Sequence, residues 1–199
     1  ATKVLRVAAP GDVLSLDSSI ATDGFSFEVI SAFQEGLVVY AADDTVIPAV
    51  ATSWTVSEDG KEYVFTLNPA AKWSNGDAVT ASDFVFAWQR LADPATAAEY
   101  AIMLQTANIA NAADIAAGTK PVTDLGVEAV DATTLKITLG AAVPYFLQLM
   151  TFPSFLPLNQ AFVEAQGASY ATGADSLLSN GPFILTDWVL GSTITLAKN

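Results

Sequence analysis

Histidine and cysteine are both absent from this 199-residue chain. Without cysteine there are no disulfides, no thiolate zinc sites and no Cys nucleophile. Without histidine the commonest general base and the commonest metal ligand are gone, and a Ser-His-Asp triad cannot be assembled. Basic residues are scarce as well: 8 Lys and Arg stand against 21 Asp and Glu, a formal net charge of −13. Such an acidic surface repels phosphate backbones and anionic lipid heads, so neither a nucleic-acid partner nor membrane attachment through basic patches is expected. There is no Gly-x-Ser-x-Gly nucleophile elbow. Gly118-Thr119-Lys120 fails as a phosphate loop, because Ala113 stands where that motif needs a glycine and Pro121 follows the lysine. No catalytic constellation, cofactor or metal site is expected, and the chain reads as something other than an enzyme.

Long charge-free runs are also rare, with one exception. Ile137 to Val163 carries no charged residue. That length would span a bilayer. Pro144, Pro153 and Pro157 interrupt it, together with Gln148, Asn159 and Gln160. A continuous helix is therefore excluded, and the expectation is a strand end, a short helix and a Pro-rich loop. The first residues, Ala1 to Val4, have no apolar leader, as in a mature exported chain or a trimmed one. The last ones, Ile194 to Asn199, run straight out of a strand pattern, as expected of a cut through a longer protein.

What is present is ample apolar material. Hydrophobic residues make up 52% and charged residues 15%, enough for a folded core. Leu5 and Val7 alternate with Val4 and Arg6, predicting a first strand that Pro10-Gly11 ends. A helix is predicted from Ser26, with Phe27, Ile30, Phe33 and Leu37 on one stripe. Residues 50–67 read as a hairpin around Ser57-Glu58-Asp59-Gly60. Asn75-Gly76 marks a turn. Thr80 and Asp83 form a capping-box pattern before Phe84, Trp88 and Leu91, and Asp93-Pro94 stops that helix. The alanine-rich residues 97–117 are expected to be helical. Val127 to Leu139 reads as a second hairpin, Asn159 as the cap of a short helix ending at Gly167, and Phe183 to Leu196 as a third hairpin about Leu190-Gly191. The mixture is α+β (mixed α/β) without strict βαβ alternation.

Carboxylates offer little chemistry in this pattern. Asp43-Asp44 and Glu58-Asp59 are adjacent pairs in turns, which solvent covers; acid–base work needs two carboxylates facing each other. Asp12, Asp17 and Asp23 do not have the spacing of a calcium loop. Most aromatic residues fall on the core stripes. Tyr100 and Phe152 do not, and are candidates to line a pocket.

Several ordered blocks carry a resemblance. Val50-Ala51-Thr52-Ser53-Trp54 followed by Gly60-Lys61-Glu62-Tyr63-Val64-Phe65-Thr66-Leu67, and Trp73-Ser74-Asn75-Gly76-Asp77 running on to Trp88-Gln89-Arg90, resemble the blocks of the peptide- and nickel-binding class of bacterial extracellular solute-binding proteins. Leu91-Ala92-Asp93-Pro94, Thr123-Asp124-Leu125-Gly126-Val127, Val143-Pro144-Tyr145-Phe146 and Asn180-Gly181-Pro182-Phe183 with Trp188 are similar to its oligopeptide-binding members. The resemblance implies the N-terminal part of a two-lobed, periplasmic-binding-protein type II-like receptor. On that basis residues 1–35 and 160–199 belong to the sheet lobe beside the ligand, and 36–159 form an extra domain packed on it.

The resemblance also implies a function. Such receptors capture oligopeptides outside the cytoplasm and deliver them to the membrane permease subunits of an ABC importer, as monomers located in the periplasm or at the cell surface. They hold the peptide through main-chain hydrogen bonds and leave its side chains to wet pockets. The contacting positions map onto Thr22, Asp23 and Gly24, onto Tyr100, and onto Phe152. At position 22 the oligopeptide-binding pattern has an acidic residue, and at position 152 a histidine, so the pocket chemistry differs here. Receptors for dipeptides, nickel chelates or signalling peptides, or a non-binding interaction module, are the alternatives.

Overall fold

The computed structural model describes residues 4–9 and 11–199. The chain enters through an irregular segment and turns at Asp17 to Ala21 into helix α1 (Gly24–Phe33). A two-stranded antiparallel ribbon follows, β1 (Val38–Tyr40) with β2 (Val46–Pro48). Next come β3 (Ala51–Val56), β4 (Glu62–Leu67) and α2 (Ala81–Ala92), the short helices α3 (Ile102–Thr106) and α4 (Ala112–Ala116), then β5 (Val127–Ala129) and β6 (Thr134–Thr138). Short helices α5 (Phe146–Leu149) and α6 (Gln160–Gln166) lead to a final hairpin, β7 (Phe183–Val189) with β8 (Thr193–Lys198).

The main sheet is antiparallel with strand order β3-β4-β6-β5. Its register pairs Phe65 with Leu135 and Tyr63 with Ile137, so alternate side chains of β4 and β6 enter one core. Helix α2 packs on that face with Phe84, Trp88 and Leu91 fully buried. Its capping box is present as the sequence predicts: Thr80 N–H donates to Asp83 Oδ2 at 2.8 Å. The indole N–H of Trp88 donates to the Phe155 carbonyl at 3.0 Å, which pins the Pro-rich segment onto the helix. Apolar residues form two clusters. The larger gathers the sheet, α2 and the short helices. The smaller gathers Val13, Leu16, Val29, Ile30 and Phe33 with Leu156, Leu177 and Leu185.

Three sequence expectations need correction. Residues 4–9 form no strand, and Val4, Leu5 and Val7 are exposed; among the described residues no neighbouring strand supplies the ladder they would need. Pro10, read as the strand's end, lies outside the described residues. Residues 97–117 are not one helix. Ala97, Asn108 and Asn111 adopt left-handed φ, and the main chain around Asn108 and Ala110 bonds instead to the sheet, through Gly140 N–H to Asn108 O and Ala110 N–H to Thr138 O, both 2.8 Å. Sheet hydrogen bonds have overridden alanine's helix propensity. In α1 the buried stripe is Ser26, Val29, Ile30 and Phe33, and Leu37 lies beyond the helix. The charge-free run behaves as expected, as the end of β6, α5 and a turn at Pro153–Phe155. Among the described residues no helix is long and apolar enough to cross a membrane.

Candidate functional site

Asp23 sets the first part of the site. It is the N-cap of α1, its carboxylate accepting from the Ser26 N–H at 2.8 Å and from the Ser26 hydroxyl. Burial pushes its carboxyl up, but the Ser26 hydroxyl and backbone bonds outweigh that and hold it below the usual aspartate range. The Ser26 hydroxyl in turn accepts from Leu14 N–H at 3.1 Å, so the loop carrying Thr22, Asp23 and Gly24 is tied back to the entering chain. Thr22 and Gly24 remain exposed. A Cβ added at Gly24 would meet nothing within 4 Å, so the space before the loop is open.

The second part is aromatic. Tyr100 sits in a 3-10 turn, Glu99–Ala101, and Phe152 caps another, Pro153–Phe155. Their rings lie 5.1 Å apart, tilted by 37°. The structure therefore brings together the two aromatic residues that sequence set apart from the core stripes. It adds a third. Phe27 meets Tyr100 edge to face at 5.4 Å and Phe152 at 5.0 Å. Sequence reading placed Phe27 in the core stripe; the available signal was its position one helical turn after the N-cap Asp23. Phe27 also joins the two halves of the site, because its N–H donates to the Asp23 carbonyl at 3.1 Å. All three rings are half-buried. Phe27 packs against the smaller apolar cluster and Phe152 against the larger, so the group lies at the seam between them.

The surroundings are acidic. Residues 7–60, 91–119 and 137–197 contain no Lys or Arg. Arg90, at the end of α2, is committed elsewhere: it makes a bidentate pair with Asp17 at 2.8 and 2.6 Å and stands 5.7 Å above the Tyr170 ring. Burial, helped by the Asp17 charge, drives the Tyr170 hydroxyl far above its usual range. Asp12, Asp17 and Asp23 go separate ways, to Gly191 N–H, to Arg90 and to Ser26. Among the described residues no group of three or more Asp or Glu is arranged to hold a metal ion. The surface hollows around Asn108–Asp114 and around Thr172–Ser176 share no residue with the aromatic group. The site is thus an open wall with a polar loop at one end, suited to one side of an extended ligand.

Comparison with known proteins agrees with this architecture. Residues 45–199 match the profile of the bacterial extracellular solute-binding proteins, family 5, middle region. The chain is 40% identical to the dipeptide-binding protein of Lactococcus lactis subsp. cremoris over 92% of its length and 33% of the relative's. It is 44% identical to the periplasmic oligopeptide-binding protein OppA of Escherichia coli over 83% of its length and 30% of the relative's. The solved substrate-binding domain of an oligopeptide ABC transporter from Bacillus anthracis superposes with a TM-score of 0.94 at 49% identity, covering 97% of this chain and 37% of that one. The chain thus spans about a third of the length of the curated relatives it matches. With more than half of its residues inside the family profile, the chain belongs to the bacterial extracellular solute-binding proteins, family 5.

Proposed function

We propose that this chain is the N-terminal part of an extracytoplasmic receptor that captures oligopeptides and passes them to the permease subunits of an ABC importer. One observation carries the reading. Tyr100 and Phe152, far apart in sequence, meet at 5.1 Å beside the open Thr22-Asp23-Gly24 loop, where an extended ligand can lie along exposed main chain. The names of the Escherichia coli and Bacillus anthracis relatives support oligopeptides as the ligand class. The Lactococcus relative's name favours a second reading, a receptor for dipeptides at the same site. In either case the receptor binds and releases its ligand unchanged, as a periplasmic or cell-surface monomer without catalytic step, cofactor or metal.

The proposed division is a ligand-side lobe of residues 1–35 and 160–199, and an extra domain of residues 36–159. The two apolar clusters support it, since nearly all of the larger one falls within 36–159. Native mass spectrometry of the full-length protein, purified without refolding, tests the function. Adducts spread over the masses of three- to five-residue peptides are expected. Adducts of two residues only would select the dipeptide reading. A bare protein that also ignores an added peptide library would overturn both. Tyr100→Ala is expected to weaken peptide binding about 10-fold, the scale of one aromatic contact.

A further inference from the structure

We propose that Phe27 is a ligand-facing residue that completes an aromatic wall with Tyr100 and Phe152, and that this wall selects peptides carrying a bulky apolar or aromatic side chain and disfavours acidic ones. This rests on the peptide-receptor reading above. Helix α1 buries a stripe of Ser26, Val29, Ile30 and Phe33, spaced i, i+3, i+4, i+7. Phe27 stands one position off that stripe, so burial of the helix does not require it to be apolar. It keeps part of its surface open while its ring meets two others. The three rings come from α1, the turn at Glu99–Ala101 and the segment before Pro153, so no single element's packing explains their meeting. Together they present an uncovered apolar face at the seam of two cores, beside the loop that offers main-chain contacts. An apolar side chain laid on that face is desolvated on one side and gains edge-to-face or offset ring contacts.

The charge around the wall sets the second half of the preference. Glu28 follows Phe27 directly, Glu99 precedes Tyr100 directly, and both are exposed; Asp23 lies one turn before Phe27. The three segments that build the wall contain no Lys or Arg. A carboxylate on the ligand side chain would face like charge from Glu28 and Glu99, while Arg90, on the helix α2 that packs against the Tyr100 and Phe152 turns, already has its charge matched by Asp17.

Isothermal titration of the full-length protein with trialanine, and with its variants carrying Phe or Glu at each position in turn, tests this. One Phe peptide is expected to bind about 10-fold more tightly than trialanine, with the Glu peptide of the same position weaker than trialanine. In Phe27→Ala that Phe gain, read as the ratio of Phe-peptide to trialanine affinity within the same variant, is expected to fall below about 3-fold. Phe27→Leu, which preserves apolar volume and guards against a folding defect in the alanine variant, is expected to keep a gain for Phe between the two. A wild-type protein that binds trialanine and the Phe peptides equally overturns the inference and leaves the peptide receptor standing. So does a Phe gain that survives Phe27→Ala unchanged. Failure of every peptide to bind overturns both together.

Discussion

Arg90 and Asp17 make a bidentate, largely buried ion pair. Both carboxylate oxygens and both terminal guanidinium nitrogens are used, at 2.8 and 2.6 Å, and the Asp17 side chain is only 5% exposed. Asp17 belongs to the entering segment and Arg90 to α2, so the pair joins the two apolar clusters, with Tyr170 packed beneath the guanidinium and touching both. Removing one partner strands the other charge. Arg90→Met is expected to lower stability by about 2–4 kcal/mol, less than a fully buried pair because the arginine is partly solvated. The double variant Asp17→Leu with Arg90→Met is expected to lose less than the single one. Urea unfolding reads both, and a single-variant loss below about 0.5 kcal/mol would reduce the pair to an ordinary surface contact. None of this pairing was legible in sequence, where Asp17 was only one of three scattered acids. Phe27 was hidden for a related reason: helical spacing admits two overlapping stripes in α1, and only the tertiary neighbours choose between them.

Elements with strong local chemistry were readable, and those shaped by distant partners were not. Thr80-Ala81-Ser82-Asp83 announces a helix start by itself, and Asn75-Gly76 announces a turn, with Gly76 at φ 95°. The alanine-rich 97–117 segment announces a helix and is broken by hydrogen bonds to the sheet. The start of α2 also supplies a pH test. Asp83 Oδ2 accepts from Thr80 N–H, the Thr80 hydroxyl and the Trp73 indole N–H. Burial raises its carboxyl above the ordinary 3.8, against those bonds and with help from the Asp77 charge. A raised folded-state value means the protonated form is favoured in the fold. Its stabilising contribution is full below 3.8 and is lost as pH rises through the raised value. Asp83→Asn keeps an oxygen acceptor and removes the titration, so its stability relative to wild type is expected to climb as pH rises from about 3.8 and then level off. Asp83→Ala instead strands three donors and is expected to cost about 2 kcal/mol at neutral pH. Thermal unfolding of the three proteins across pH 3 to 7 checks both, and a flat difference for the asparagine variant would remove Asp83 as a titrating group.

At the scale of the whole molecule the two cores are unequal. The larger cluster falls within residues 36–159 except for Val163 and Leu178, whereas the smaller is assembled from residues 13–33 and 171–185 with Leu156 reaching in. The ends of 36–159 already lie together, since a Cβ on Gly36 would stand 3.3 Å from Leu156 Cδ2. Outside this segment the molecule is thinly covered: Leu5 is 87% exposed, Leu190 is 70% exposed, and among the described residues β7 and β8 pair only with each other. A lone two-stranded ribbon is marginal in water. The accessible surface, 10060 Å², also exceeds the roughly 9,000 Å² expected for a compact protein of this mass. Residues 36–159 alone are therefore expected to unfold in one cooperative transition, with Trp73 and Trp88 fluorescence and helical circular dichroism changing together. Residues 1–35 joined to 160–199 by a short linker are expected to show no such transition, because Leu156 and the Arg90 partner of Asp17 are gone. A cooperative transition in the second piece would show that the smaller cluster folds by itself, whereas absence of one in the first would overturn the proposed division and make the two clusters a single folding unit. The full chain would then owe its order to the seam where Phe27, Tyr100 and Phe152 meet, and truncating any one of those rings would destabilise both cores together.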